Sequence, residues 1–569
     1  MSEVTAFPAA EGGGVGGGDK HPREDGRFHV AILGAGLAGS MLAAVLARHG
    51  VRVLLVDTAA HPRFAIGEST TPYTSVLTRI IADRYQVPEI RPLASFAGIT
   101  EKVSRNCGRK QNFGFVYHRE GEAHRPEEIN QLVIPSLLQT ETHLFRQDTD
   151  AYMFNVAVKY GAVAQTGTRI VDITIDGENG VTLRSRGGAE YHAQYIVDAS
   201  GVGSPLATVL RLREEPTRAR HHSRTMFTHM VGVTPFEQTP AGKHRVPDAW
   251  SNGTLHHVFP GGWLWVIPFD NHDRSLNPLC SVGLTLDPRV HPASELSPQQ
   301  EFEEFLRRFP DIAPQFEAAG PARPWQSMDR LQYSSKQIVG DRFCLTSHAA
   351  GFIDPIYARG LTNTLEVVNA LGWRLIESAR DGDWSTERFL YLEDLQQGLF
   401  DIHDDLAYSA YVAWRDYDLW NAVHRTWAID TVMATFVLED AYAKFAKSGG
   451  EDDNVFRALE QTEYPGSPLA FSEEFNELLP STRQLCAAVD DNVLTPQEAA
   501  AKLFQRIAEA DYIPPSFGFA DPEHKFFHPT AGRMLSAVRW GRSKAPHEIG
   551  DVVRSAIGGF VTERIRHRG

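Results

Sequence analysis

Phe28-His29-Val30-Ala31-Ile32-Leu33-Gly34-Ala35-Gly36-Leu37-Ala38-Gly39 decides the fold. Phe28 to Leu33 is a short, mostly apolar run, as expected of a parallel strand buried on both faces. A Gly-x-Gly-x-x-Gly follows. Leu37, Met41, Leu42, Val45 and Leu46 then recur at helical spacing, and Val51 to Val56 reads as a second buried strand ending at Asp57. Within such a βαβ unit the three glycines have separate tasks. Gly34 permits the tight turn, Gly36 lets the backbone approach a pyrophosphate, and Gly39 allows close helix–strand packing. The helix N-terminus, with the Leu37 and Ala38 amides, faces the phosphates. Asp57 is placed to accept hydrogen bonds from the ribose hydroxyls.

Outward from this unit, Arg63 to about Glu120 is irregular, and Arg146 to Tyr160 has helical spacing. Tyr195 to Val197, followed by Asp198-Ala199-Ser200-Gly201, reads as another strand of the first sheet. Met226 to Val233 and His256 to Phe269 alternate with period two and predict a separate, largely antiparallel sheet, half buried on one face. Val339-Gly340-Asp341-Arg342-Phe343 leads back to the nucleotide sheet, and Gly360 to Ser378 reads as a helix. After about Trp384 the aromatics Tyr408, Tyr411, Trp414, Tyr417, Trp420 and Trp427 recur at spacings of three and four, as on the packed face of a helical region. The resulting boundaries are a disordered leader over 1–27, nucleotide-binding segments with interleaved substrate-domain residues over 28–220, and an antiparallel-sheet substrate domain over 221–335. A return to the nucleotide domain over 336–383 and a helical C-terminal region over 384–569 complete the chain.

At 569 residues the chain exceeds one simple core. Its net charge of -15 argues against nucleic-acid binding, which needs a basic face. Four widely spaced cysteines have neither metal-ligand spacing nor the density of a disulfide framework, and no metal site is expected. No apolar run is long enough to span a membrane, and the Gly-rich start lacks a signal-peptide core, so the cytoplasm is the expected location.

The remaining signal is Gly262-Trp263-Leu264-Trp265-Val266-Ile267-Pro268. Alternation puts Trp263, Trp265 and Ile267 on one face of a strand, closed by Pro268. With the glycine motif, His61-Pro62-Arg63-Phe64-Ala65-Ile66-Gly67-Glu68-Ser69 and Gly351-Phe352-Ile353-Asp354-Pro355-Ile356-Tyr357-Ala358-Arg359-Gly360-Leu361, this segment resembles the flavin-dependent halogenases, in particular their phenol-halogenating branch. The resemblance implies an α/β fold: a Rossmann-like FAD-binding domain of the aromatic hydroxylase type, an inserted antiparallel-sheet substrate domain and a helical C-terminal region. It implies an enzyme in which FADH2 and O2 oxidise chloride or bromide to hypohalous acid. The acid passes through a tunnel to a lysine, and an electron-rich aromatic takes the halogen.

Aligning Phe113-Gly114-Phe115-Val116-Tyr117-His118 with that branch puts Lys110 at the catalytic position, with Lys102 the alternative; His118 is a candidate base. The resemblance further implies that Arg146, Asp341, Gly351, Asp354, Pro355, Gly360 and Leu361 contact the cofactor. Gly360 and Leu361, opening a helix, also offer amides to the halide. Trp263, Trp265, Ile267 and Pro268 keep the substrate away from the flavin oxidant. Departures are Ser347-His348 where a Gly-Asp pair is usual, Ala358 where Ser is common, and Tyr357 where tryptophan halogenases carry Glu. The last disfavours free tryptophan and leaves a phenolic aromatic, free or carrier-bound, as the expected substrate. No second glycine-rich nucleotide motif is present, so a separate NADH-dependent flavin reductase is the expected partner. The competing readings are a flavin-dependent aromatic monooxygenase and a degenerate, non-catalytic flavoprotein.

Overall fold

The computed structural model describes residues 27–134, 141–461 and 472–566. The expected leader lies outside the described residues except for Arg27, which opens the first strand. In chain order the elements begin β1 (Arg27–Leu33), α1 (Leu37–Arg48), β2 (Val53–Val56), α2 (Pro72–Arg84), α3 (Phe96–Lys102), β3 (Gly108–Lys110), β4 (Asn112–Tyr117), β5 (Ile129–Val133) and β6 (Glu141–His143). They continue α4 (Arg146–Lys159), β7 (Val163–Gln165), β8 (Ile170–Asp176), β9 (Gly180–Ser185), β10 (Glu190–Asp198), α5 (Pro205–Val209), β11 (Arg224–Val231), β12 (Thr254–Phe259), β13 (Gly262–Pro268) and β14 (Cys280–Leu286). After α6 (Pro298–Arg308) come β15 (Gly320–Pro321), β16 (Gln326–Met328), β17 (Val339–Gly340), β18 (Phe343–Leu345), α7 (Arg359–Asp381), α8 (Thr386–Ala413) and α9 (Tyr417–Lys447). The C-terminal part holds α10 (Asn454–Arg457), α11 (Glu473–Asn476), α12 (Leu478–Asp490), α13 (Pro496–Glu509), β19 (Phe526–Phe527), α14 (Ala531–Ser543) and α15 (His547–Arg566).

Two sheets carry the molecule. The first runs β17-β18-β10-β1-β2-β7, with β9 paired to β10 and β8 paired to β9. Its central strands are parallel, and Leu33, Asp198 and Leu345 end level with one another. Parallel strands ending together leave a crevice outside their carboxyl ends, where such sheets bind ligands. The second sheet runs β15-β11-β14-β13-β12-β4-β5-β19, antiparallel except at β12–β4 and β19–β5. β3 and β6 form a separate two-stranded ribbon.

Two expectations need correction. The stretch after Arg63 is not irregular: it contains α2, α3, β3 and β4. Thr71 accepts the Thr74 amide in a capping box and Pro72 opens α2, a start signal set in a polar segment. β4 is buried along its whole length and so shows no alternation. The second sheet is also not half exposed. On β13, Trp263, Trp265 and Ile267 pack into a cluster with α8 and α9, while Leu264 and Val266 pack with Phe302, Phe305 and Phe309 of the α6 segment. Helices thus cover both faces, a role that the tryptophan and tyrosine spacing of the C-terminal region predicts for only one of them. Arg425, fully buried on α9, donates to the backbone and side-chain oxygens of Asn421, to the Phe519 carbonyl and to the Asp521 carbonyl. These bonds tie the C-terminal segments onto the sheet, and burial lowers its guanidinium to about 10.

Candidate active site

The glycine loop closes as its spacing requires. Gly34 has φ +94, a left-handed conformation, and a Cβ there would lie 2.5 Å from the Ala199 carbonyl oxygen. A Cβ on Gly39 would lie 1.9 Å from the Gly34 oxygen, so only glycine lets α1 cross so close. Gly36 differs: its missing side chain faces the Arg63 guanidinium at 3.5 Å and Asp150 at 3.8 Å and meets no wall. No side chain caps α1, so the amides at its N-terminus, Leu37 and Ala38 among them, are open to an anion. Around the loop, His61 Nε2 contacts the Ala35 carbonyl at 2.8 Å, while His61 Nδ1 and Arg63 Nε are buried with no partner among the described residues. Orphaned polar atoms beside an uncapped helix fit a bound diphosphate.

Asp57 is used differently from the expectation. Its carboxylate accepts the Ala35 amide at 2.7 Å, the Ala59 amide at 2.8 Å and the Arg63 guanidinium at 3.0 Å. Its first role is to brace the glycine loop. Arg146 is no surface ion pair: it holds Asp150 through two bonds, at 2.7 and 3.0 Å, and donates to the Ile66 and Gly67 carbonyls at 2.8 and 3.1 Å. It therefore sits behind Gly36 and clamps the segment leading to Ser69.

The third part of the crevice is the segment after β18. Here Asp341 must be corrected. It lies on the exposed turn before β18, four residues upstream of Leu345, and so at the wrong end of the strand for the crevice. Ser347-His348, which follow the strand, take the crevice position. Ser347, Tyr357 and Ala358 all adopt positive φ, at 48, 70 and 54, a concentration of backbone strain that marks functional loops. Gly351 packs under Phe400 and the Tyr333 carbonyl. Beyond Pro355, Ala358 gives α7 no side-chain cap, so the Gly360 and Leu361 amides open towards the loop. A Cβ on Gly360 would come 3.0 Å from His348 Nε2, a tight contact that the histidine would have to relieve.

Asp354 is a second correction. Its carboxylate is 1% exposed and filled by protein donors: Trp263 Nε1 at 3.2 Å, the Ile356 amide at 3.0 Å, Ser223 Oγ at 3.0 Å, Tyr411 OH at 3.1 Å and His221 Nε2 at 3.2 Å. With five partners it has no capacity left for a cofactor. Instead it joins the tryptophan strand to the strained loop. Trp265, the other tryptophan of β13, stacks over Gly283, where a Cβ would lie 2.0 Å from its ring, and donates to Ser281 Oγ at 3.2 Å. The Trp263 and Trp265 rings lie 5.5 Å apart.

Lys110 is fully buried at the end of β3, whereas Lys102 is exposed at the end of α3. The Lys110 amine donates to Thr70 O at 2.7 Å and to Ser69 Oγ, and it lies 3.4 Å from the centre of the Phe113 ring. Burial pulls it well below the usual lysine range, with Glu141 opposing. Glu141 is its cross-strand neighbour on β6. Burial raises that carboxyl to about 7 against the bonds from Ser75 and Thr70. His118 does not belong here. It follows the far end of β4, eight residues from Lys110, about 25 Å in extended chain, and pairs with His257 at 2.9 Å.

Beside a cavity of about 530 Å³ at Ser347, His348 and Gly360, two more adjoin the Phe113 ring and the loop. One of about 700 Å³, lined by Pro72, Phe113, Thr431, Phe436, Phe527 and Met534 among others, is largely apolar. The second, of about 420 Å³, takes in Tyr357 and Arg359 of the loop, Thr71 and Glu366. Thr431 lines both, and Thr71 and Pro72 lie one in each, so the two adjoin along α2 and α9. Sequence reasoning missed Ser69, Thr70, Glu141, His143 and Thr254 around Lys110. They lie on three separated segments, and only Ser69, at the end of His61 to Ser69, and His143, which opens the family-like stretch His143 to Asp148, fall in segments that carry the resemblance. Among the described residues no group of His, Cys, Asp and Glu could hold a metal ion, and no helix is long and apolar enough to cross a membrane.

Comparison with known proteins agrees with this geometry. A model of the FAD binding domain matches residues 27–386. Tetracycline 7-halogenase from Kitasatospora aureofaciens is 46% identical over 545 residues, covering 95% of this chain and 97% of that protein. Monodechloroaminopyrrolnitrin halogenase PrnC from Pseudomonas fluorescens is 44% identical over 533 residues, covering 92% and 94%. The crystal structure of halogenase PltM in complex with phloroglucinol and FAD superposes with a TM-score of 0.84 at 33% identity, covering 88% of this chain and 99% of that one.

Proposed function

The chain belongs to the flavin-dependent halogenases, which use FAD, oxygen and halide to halogenate aromatics, and on that premise we propose that it halogenates a phenolic ring through Lys110. The observation that carries the reading is the placement of this lysine. Its amine is sealed from water, and Phe113, over which it lies, forms part of the wall of the largely apolar chamber. Burial shifts this lysine towards the free amine, the form that attack on electrophilic halogen needs. Reduced FAD, when bound, supplies the two electrons with which O2 converts a halide ion and a proton to hypohalous acid and water. The glycine loop, the α1 amides, Arg63 and the Arg146–Asp150 pair would hold it. Gly360 and Leu361 would present amides to the halide. Lys110 then takes the halogen: the N–X bond forms as the X–O bond breaks, and water leaves with the amine proton. A phenol suits the chamber because its own oxygen pushes electrons into the ring, so the wall need not supply a carboxylate, and Tyr357 stands where such a group would be.

We further propose that a separate NADH-dependent reductase delivers the reduced flavin and that the enzyme works in the cytoplasm. The relatives' named substrates, tetracycline and monodechloroaminopyrrolnitrin, support an aromatic acceptor. The test is reconstitution with FAD, reductase, NADH, O2 and bromide against phenols, resorcinols and indoles, read by mass spectrometry. A bromine isotope doublet on a phenol is expected. Lys110→Ala should keep oxygen consumption and lose at least a hundredfold of product. Retained bromination by Lys110→Ala overturns the lysine assignment, and an added oxygen without halogen overturns the reaction.

A further inference from the structure

Lys110 stands at one end of a hydrogen-bond chain whose direction is fixed at the other end by Pro268. His143 Nδ1 lies 2.9 Å from the Pro268 carbonyl oxygen. A carbonyl only accepts, so this nitrogen carries the ring proton. Burial pushes the ring down to about 3 and keeps it neutral. Its Nε2 is then an acceptor, 3.0 Å from Thr254 Oγ1. Thr254 has one hydroxyl proton and spends it there, so its oxygen accepts from Ser69 Oγ at 3.0 Å. Ser69 in turn has no proton left and accepts from the Lys110 amine. The close pass of the β3–β6 ribbon against β13 depends on Gly108, where a Cβ would lie 2.3 Å from the Pro268 oxygen.

The polarity matters because a neutral amine has two N–H bonds and one lone pair. Thr70 O takes one N–H and Ser69 takes the other, so the lone pair is left without a hydrogen-bond donor, and the Phe113 ring face 3.4 Å away supplies none. With the chain reversed, the Ser69 hydroxyl would donate into that lone pair and suppress its attack on halogen. We propose that Ser69, Thr254 and His143 are positioning residues that keep the Lys110 lone pair free of any hydrogen-bond donor. This rests on the assignment of Lys110 as the reacting amine.

Thr254→Val removes the middle acceptor at nearly constant volume and releases the Ser69 proton. We expect product formation to fall at least tenfold, with FAD affinity, melting temperature and oxygen consumption unchanged. Ser69→Ala added to Thr254→Val deletes the hydroxyl that quenches the amine, so the double variant should recover at least fivefold over Thr254→Val. A chain that only packs the site gives a double variant no better than the single one, and that result overturns the proposal, as does a Thr254→Val enzyme of parental activity. If Thr254→Val melts early, His143→Gln is the second probe. Its amide can still donate to Pro268 and accept from Thr254, so it should keep more than half of the product yield, whereas His143→Leu should lose it; equal losses overturn the polarity argument. Bromination by Lys110→Ala would instead sink the lysine assignment itself, which separates the two failures.

Discussion

Asp354→Ala removes the acceptor on which the tryptophan strand and the strained loop converge. Five donors lose it at once. The Ser223 and Tyr411 hydroxyls lie close enough to satisfy each other, which leaves Trp263 Nε1, His221 Nε2 and the Ile356 amide. At the low end of about 1–3 kcal/mol for each buried group left unpaired, the cost is about 3 kcal/mol. For 569 residues unfolding as one unit, at about 2.1 cal/mol/K per residue, that moves the melt by only about 2.5 °C. A urea titration followed by tryptophan fluorescence is therefore the better assay, and a cycle with Trp263→Phe isolates the pair of interest. A coupling between the two positions above about 0.5 kcal/mol is expected. Product formed per NADH should also fall in Asp354→Ala, because the loop that presents Gly360 and Leu361 loses its tie to β13. A coupling indistinguishable from zero, with product yield intact, would refute the claim that Asp354 joins the two motifs.

Three further outcomes follow from the same geometry. Gly36→Ala should leave the fold intact, since its Cβ meets nothing closer than 3.5 Å, yet weaken FAD at least tenfold by isothermal titration; Gly34→Ala, 2.5 Å from the Ala199 carbonyl oxygen, should fail to accumulate as folded protein. Phe113→Leu should cost about 1 kcal/mol in stability and change the ratio of halogenated regioisomers, because this ring separates the Lys110 amine from the chamber; an unchanged ratio by chromatography counts against the wall. His143, His256 and His257 are each held down at about 3, chiefly by burial. The unfolded chain takes up these protons near pH 6.5 and the folded one does not, so each removes about 1.4 kcal/mol per pH unit between 6.5 and 3. Melting temperature should fall gently from pH 8 to 7, where the buried Lys110 already resists the proton its unfolded form takes up, and steeply below 6.5; a level profile down to pH 5 overturns this.

The nucleotide half was legible because its signals are local. A glycine spacing, the strand before it and the helix after it lie within one βαβ unit, and Gly34 and Gly39 have the steric reasons assigned to them, while a Cβ on Gly36 would meet no wall. The return strands at Tyr195 and Phe343 were legible from apolar runs, but the polarity of β18 was not. Without its direction, Asp341 and Ser347 look equally attached to the sheet, and only the register of β18 against β10 sends one to an outer turn and the other to the crevice. Asp354 failed for a different reason: a carboxylate in a motif reads as free until the donors filling it, from β13, α8 and the segment before β11, are brought together. Burial on both faces hid β4, and of its two partner strands β12 lies more than a hundred residues away.

The lysine shows why motif and mechanism need not coincide in sequence. Pro268 closes the tryptophan motif, and a strand end is where proline is tolerated, since its missing amide is not needed by the ladder. Its carbonyl is the group that matters, because it fixes which nitrogen of His143 holds the proton, and through Thr254 and Ser69 that choice reaches an amine on another ribbon. The tryptophans then have two effects: their rings fill the face of β13 that lies against α8 and α9, and Trp263 holds Asp354 and with it the loop bearing Gly360. A substitution on β13 that loosens the strand should therefore disturb the halide loop and the lysine together. Trp263→Phe, which keeps most of the ring but loses the Asp354 bond, should uncouple NADH use from product while Lys110 stays buried. Trp265→Phe, whose bond runs to Ser281 on the neighbouring strand instead, should uncouple less. Equal uncoupling by the two would mean that bulk alone, and not the link to Asp354, is what the motif supplies.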